Sequence, residues 1–163
     1  IKVKVGKKAD DTPTNFTISD QNTKVTFVLA DKQNIPTAPN MKNVPDFEVS
    51  IVLDQRFLNT FVKAKGALAE VETFTVITHK DKTDVVLGYS DLNTNRVTIN
   101  VEGEYIDQID PISFSASYFK DILLANKEMK KGTLKVSSKG LAHISFEVDD
   151  FTVDYYLVKV AQA

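Results

Sequence analysis

The chain has 163 residues, 42% of them hydrophobic and 26% charged, with 20 Lys+Arg against 22 Asp+Glu. That is room for one large domain, or one and a half to two small ones, each with a real core. The absence of Cys excludes disulfides and thiolate metal sites, and no apolar run approaches the roughly 18 residues that a membrane helix needs. There is no signal-peptide pattern, and the chain opens at Ile1 rather than Met, which fits a fragment or a processed chain.

Alternating apolar and polar residues, the mark of half-buried strands, begin at the first residue. They predict strands at IKVKV (1–5), NFTIS (15–19) and KVTFVLA (24–30). Residues 31–46, DKQNIPTAPNMKNVPD, hold three of the five prolines, lose the alternation and read as a connector. A strand follows at FEVSIVL (47–53), then a helix from Asp54 to about Leu68, then strands at 72–79, 84–90 and 96–103. The order then recurs: a strand at 112–117, a helix from Ser117 to about Lys130, and strands at 133–138, 142–148 and 152–160. Asp54 and Ser117 are suitable N-caps for the two helices.

Strand, helix, strand, strand, strand thus runs twice, over 47–103 and 112–160. Leu58, Phe61 and Val62 form an apolar i, i+3, i+4 triplet on the first helix, and Phe119, Ile122 and Leu123 repeat it 61 positions later. The strands before the helices correspond at an offset of about 63, so the halves are related without strict register. The expected class is α+β: tandem βαβββ units, antiparallel sheets, and two helices on one face. Residues 1–30 offer three strands and no helix, like the tail of another such unit.

Charge is unevenly spread over this frame. The windows 54–66 and 117–131 each carry a net +2, which leaves 13 basic and 19 acidic residues elsewhere. On a helical wheel Arg56 and Lys63 fall opposite the first apolar triplet, with Lys65 on the same helix. Lys120, Lys127 and Lys131 share a flanking stripe on the second helix, with Lys130 beside it, while Asp121 and Glu128 point more nearly away from the core. Two readings compete: a face that is merely solvated, and a surface that neutralises backbone phosphates without reading sequence.

The order of elements and the two basic helices resemble the sliding clamps, the DNA polymerase processivity factors, and most closely their T-even-phage type. RFLNTFVKAKGAL (56–68) resembles that family's helix ending in a basic residue, Gly or Ala, and Leu. KGTLKVSSKGLAHISFEVDDFTVDYYLV (131–158) resembles its last three strands with a Gly-Leu-Ala turn. The resemblance implies the DNA-clamp fold, with a complete C-terminal clamp domain over 47–163, a connector over 31–46, and the last strands of an incomplete N-terminal domain over 1–30. It implies a homo-oligomeric ring, a trimer, around duplex DNA, with a DNA polymerase and a clamp loader as partners, no cofactor, no membrane, and the cytoplasm of a bacterial cell as the setting. It makes Arg56, Lys63, Lys65, Lys120, Lys127, Lys130 and Lys131 the candidate DNA contacts. It also places a partner-peptide pocket near the connector and the last strand, for which Ile35, Met41, Val44, Tyr156 and Val158 are the candidates.

Catalytic patterns are weak beside this. His143 shares a strand face with Glu147, but two groups so spaced on one strand do not make a metal site, and His79 ends a strand beside a turn. DLNTNR (91–96) imitates the start of a calcium loop, yet Arg96 stands where Gly is needed. Ser113, Ser115 and Ser117 alternate with no nucleophile-elbow Gly nearby. The expectation is a protein that is not an enzyme; a β-rich structural or adaptor protein, such as a virion component, is the alternative to a clamp.

Overall fold

The computed structural model describes residues 1–37, 43–80, 82–90, 95–101, 103–105 and 108–161. The chain forms two compact units, Ile1–Asn43 and Val44–Ala163, and their divide falls inside the proline-bearing stretch 31–46.

The first unit is an antiparallel meander of β1 (Lys2–Lys7), β2 (Pro13–Ser19) and β3 (Lys24–Val28), followed by a 3-10 turn at Lys32–Asn34. Alternation and register together sort its side chains. Val3 pairs with Ile18 and Ile18 with Val25, while Val5 pairs with Phe16 and Phe16 with Phe27, so six apolar residues share one face. The opposite face is polar, with Thr17 and Thr26 hydroxyls 3.1 Å apart across the strands. At the β2–β3 turn, Asp20 accepts from the amides of Asn22 and Thr23, which holds its carboxyl below the usual range.

The second unit carries β4 (Val49–Leu53), α1 (Gln55–Ala67), β5 (Thr73–Thr78), β6 (Thr83–Leu87), β7 (Val97–Val101) and β8 (Gly103–Tyr105). Next come β9 (Ile112–Ser115), α2 (Ala116–Ala125), β10 (Lys131–Val136), β11 (Leu141–Val148) and β12 (Phe151–Val158). The short β8 is an addition to the sequence reading, which ran one strand through 96–103.

The repeats exchange their first strands. One sheet has the order β12-β11-β10-β4-β8 and the other β7-β6-β5-β9, all neighbours antiparallel. Each three-stranded meander therefore takes its fourth strand from the other repeat. The registers match: Ile51 of β4 pairs with Leu134 of β10, and Phe114 of β9 pairs with Phe74 of β5. Ile51 and Phe114 are 63 positions apart and Phe74 and Leu134 are 60 apart, so the internal symmetry survives in the pairing.

Both helices lie on the core side of these sheets and against each other. Phe119 of α2 meets Phe61 of α1 edge-on at 4.9 Å between ring centres and stacks on Phe74 of β5 at 4.7 Å. Side chains from both sheets, including Ile51, Leu134, Ile144 and Phe146, complete one continuous core. Gly132 is part of that fit, because a β-carbon there would lie 2.8 Å from the Phe146 ring and 3.0 Å from Leu53 Cβ.

Side-chain contacts set the helix ends. Asp54 caps α1, its Oδ1 accepting from the Phe57 amide at 2.6 Å, and Leu68 closes the other end on the Ala64 carbonyl. On α2 the cap is Ser115, whose Oγ accepts from the Tyr118 amide at 3.3 Å; Ser117, the expected cap, is inside the helix. The helix stops at Ala125 rather than near Lys130. The buried Asn126 turns its Nδ2 back onto the Ile122 carbonyl at 2.8 Å and onto the Tyr155 hydroxyl at 3.1 Å. Met129 is then buried in the core as the chain reverses into β10.

Replacing Ser115 by Ala should cost about 1 kcal/mol in urea unfolding. The same change at Ser117 should stay within about 0.5 kcal/mol, the ordinary range for an exposed position. Phe119→Ala should cost roughly 3–5 kcal/mol because it empties the contact between the repeats. Equal costs at Ser115 and Ser117 would contradict the cap assignment.

Candidate nucleic-acid interface

The Gln55 side chain, at the start of α1, donates through Nε2 to the Lys127 carbonyl just past the end of α2, at 2.7 Å. The first turn of α1 thus meets the reversal between α2 and β10. Arg56, Lys130 and Lys131 line one shallow depression of about 340 Å³ there, with Lys127 in the adjoining turn. Arg56, Lys127, Lys130 and Lys131 are all exposed.

That grouping differs from two parallel stripes along the helices. Only Lys120 of the four predicted α2 cations is on α2, and it is half-buried on the flank. Lys127 and Lys130 follow the helix and Lys131 opens β10, because Asn126 ends α2 early. Lys131 stands opposite Glu147, and Lys130 Nζ donates to the Asp149 carbonyl at 3.1 Å. The solvent face of α2 carries Ser117, Tyr118, Asp121 and Leu124 and is not basic. On α1, Arg56 and Lys63 are exposed as the wheel required. Lys65 is turned inward instead: it is buried, and its Nζ donates to the Ala69 carbonyl at 2.7 Å, closing the C-terminal end of its own helix.

The polar clusters outside this surface are satisfied ones. Asp84, on the sheet face turned away from the helices, receives Asn100 Nδ2 at 2.5 Å, His79 Nε2 at 3.0 Å and Lys82 Nζ at 3.3 Å. Burial pushes its carboxyl up, but Asn100, Lys82 and His79 together outweigh burial and hold it below the usual range. Ser113 is buried against the Thr75 hydroxyl at 2.8 Å, and Ser115 is a helix cap, which accounts for most of the serine run. His143 meets Asp154 at 2.8 Å, not Glu147. Among the described residues no group of three or more acidic or histidine side chains is placed to hold a metal, and residues 91–94 of the calcium-like loop lie outside them. No helix among the described residues is long and apolar enough to cross a membrane.

Of the proposed peptide-pocket residues, Val44, Tyr156 and Val158 are exposed in the second unit. Ile35 is exposed in the first unit, and Met41 lies outside the described residues. Beside Tyr156 is a feature the sequence reading missed. The His143 ring stacks on Tyr156 at 4.7 Å with the planes 16° apart, and Phe47 lies 5.9 Å from its other side. The cross-strand pairing of His143 with Tyr156 depends on β11–β12 register, so only the alternation within each strand hinted at it.

The chain is similar in structure to the proliferating cellular nuclear antigen of Entamoeba histolytica, with a TM-score of 0.64 and 14% sequence identity. The match covers 91% of this chain and 60% of that one. This is the DNA-clamp fold. No protein-family model matches the sequence, and no curated protein matches it. The clamp fold places α1 and α2 on one surface and the β11–β12 hairpin, with its aromatic stack, on another.

The Asp84 cluster makes a pH prediction. A carboxyl lowered on folding adds stability that is complete above its unfolded value of about 4 and is lost as pH falls through the lower folded value. Asp84→Asn should therefore flatten part of the acid limb in unfolding experiments below about pH 4. An unchanged acid limb would mean that His79, Lys82 and Asn100 do not stabilise the charged form.

Proposed function

We propose that this protein is a sliding clamp that encircles duplex DNA and tethers a DNA polymerase for processive synthesis. The clamp fold supports the class of function, and the position of Arg56 carries the DNA-facing part. Arg56 stands in the first turn of α1, exposed, and that turn has no acidic residue. A cation there opposes the helix dipole, whose N-terminal end is positive, at a cost of about 0.3–1 kcal/mol. Helix stability therefore does not account for it. The Asp54 carboxylate already caps that helix end, so what an external phosphate would meet is the exposed Arg56 guanidinium beside Lys130 and Lys131. Lys65, the one cation matched to the dipole of α1, is spent inside the fold.

The DNA-facing set is then Arg56 and Lys63 on α1, with Lys127, Lys130 and Lys131 at the adjoining reversal and Lys120 on the flank of α2. Such contacts neutralise phosphates without reading bases, as sliding requires. Residues 47–163 form the C-terminal clamp domain in this reading, residues 31–46 the connector, and residues 1–30 the last strands of a preceding domain. The chain spans about 60% of the length of its structural neighbour, so the ring, a homotrimer of T-even-phage type, belongs to the whole assembly. A clamp loader would close it on DNA in the bacterial cytoplasm. Short apolar peptides of polymerase and loader would dock beside Val44, Tyr156 and Val158.

The test is retention of the assembled clamp on circular duplex DNA as salt is raised. Each phosphate contact removed should lower the slope of log K against log salt by roughly 0.9, equally on all sequences. Arg56→Glu and Lys63→Glu should have the largest effect and Lys65→Gln none on the slope. If reversing Arg56, Lys63, Lys127, Lys130 and Lys131 together leaves both retention and processive synthesis intact, these cations only solvate the surface. Tyr156→Ala should weaken polymerase coupling and leave retention unchanged.

A further inference from the structure

β9 presents the edge of a sheet. It pairs with β5 on one side and, among the described residues, has no strand beyond it in its own sheet. From Pro111 to Phe119 the chain carries no charged residue, and Ile112 and Phe114 alternate with serines. An uncharged, alternating edge of this kind is a template for strand addition by another chain. Pro111, which has no amide to donate, blunts only the entry to it.

The segment that follows β12 covers the rest. The Val160 amide donates to the Ser113 carbonyl in the middle of β9 at 2.8 Å, and the Lys159 amide donates to the Gly140 carbonyl at 2.8 Å. Gly140, with a φ of +86°, makes room for that crossing, because a β-carbon there would lie 2.4 Å from Lys159 Cδ. The segment thus runs from the edge of one sheet to the edge of the other. Its hold is backbone hydrogen bonding more than packing. Val160 is 39% exposed, and a hollow of about 340 Å³ lined by Asp110, Pro111, Ser138 and Lys159 lies beside it.

We propose that Lys159–Ala161 is an edge guard that keeps a second copy of this chain from adding a strand to β9. It occupies the Ser113 carbonyl, one of the groups that an incoming strand would have to pair with. A second copy is the chain excluded, because every copy brings the same uncharged, alternating segment to a two-fold, antiparallel junction. The guard goes beyond the clamp reading and does not depend on it.

Val160→Pro removes the donating amide, and a chain ending at Val158 removes the guard altogether. Sedimentation velocity over a range of concentrations compares the self-association of each variant with that of the unaltered protein, and hydrogen exchange locates the contact. Loss of the guard should tighten self-association roughly tenfold, about what one or two added backbone hydrogen bonds supply. The Ile112–Ser115 amides should then exchange more slowly in the associated form than in the same variant diluted. Folded variants that associate no more tightly than the unaltered protein overturn the proposal, as does association that leaves exchange at Ile112–Ser115 unchanged. If both variants unfold, the segment is a structural support rather than a guard, and the proposal fails on that outcome too.

Discussion

The contact between Phe119 and the rings of Phe57, Phe61 and Phe74 holds the second unit together. Phe119 comes from the second repeat and the other three from the first, and the ring centres lie 4.7 to 6.2 Å apart in tilted, edge-on and stacked arrangements. Such pairs add about 0.5–1.5 kcal/mol each beyond the area they bury. The strand exchange makes this junction obligatory. Without β9 the β5-β6-β7 meander loses its fourth strand, and without β4 the β10-β11-β12 meander does. Neither repeat has a complete sheet or a covered helix alone, so the pair must form as one cooperative unit.

The same exchange decides where charge ends up. Pairing β4 with β10 brings the chain leaving β4 next to the chain entering β10, and α1 starts at one of these ends while the reversal after α2 lies at the other. Arg56 is thereby brought beside Lys130 and Lys131, residues about 75 positions away in the chain. Part of that clustering has a purely structural cause. Lys127, Lys130 and Lys131 lie beyond the C-terminus of α2, where the dipole welcomes cations. Arg56, in the first turn of α1, does not share that cause.

Much of this was legible in the sequence. The helix from Asp54 to Leu68 was read to within a residue because its apolar spacing, its cap and its end agree. The second helix was read too long, since Lys127, Lys130 and Lys131 continue a three- and four-residue spacing that a wheel cannot distinguish from a helix. What ends it is the Asn126 amide folded onto Ile122 and Tyr155, a tertiary contact with no local signature. The cap moved from Ser117 to Ser115 for a similar reason: both are good caps, and pairing of Ser115 with Thr73 on β5 decides where the strand stops. The inward turn of Lys65 was invisible for the opposite reason, since a helix wheel assigns direction to a side chain but not the reach of its four-carbon stem. The strand exchange was equally hidden, because an internal repeat reveals that two units match and not which strands they trade.

The first unit obeys the same rules of alternation and register. Its meander has the alternation and register of β5-β6-β7 and β10-β11-β12, and its six aligned apolar residues form the face that helices cover in those two. Within its own described residues the only helical turn is Lys32–Asn34, too short to cover a sheet. Val3 remains 56% exposed and Phe27 55%, whereas Phe74 and Phe146, at core-facing positions of the second unit, are fully buried. A three-stranded sheet needs a covered apolar face to be stable by itself, and an uncovered one of this kind marks an interaction surface or an aggregation site. The face repeats the alternation of the β5-β6-β7 and β10-β11-β12 meanders, so the layer suited to it is a helix of the amphipathic design of α1 and α2, with apolar residues at i, i+3 and i+4.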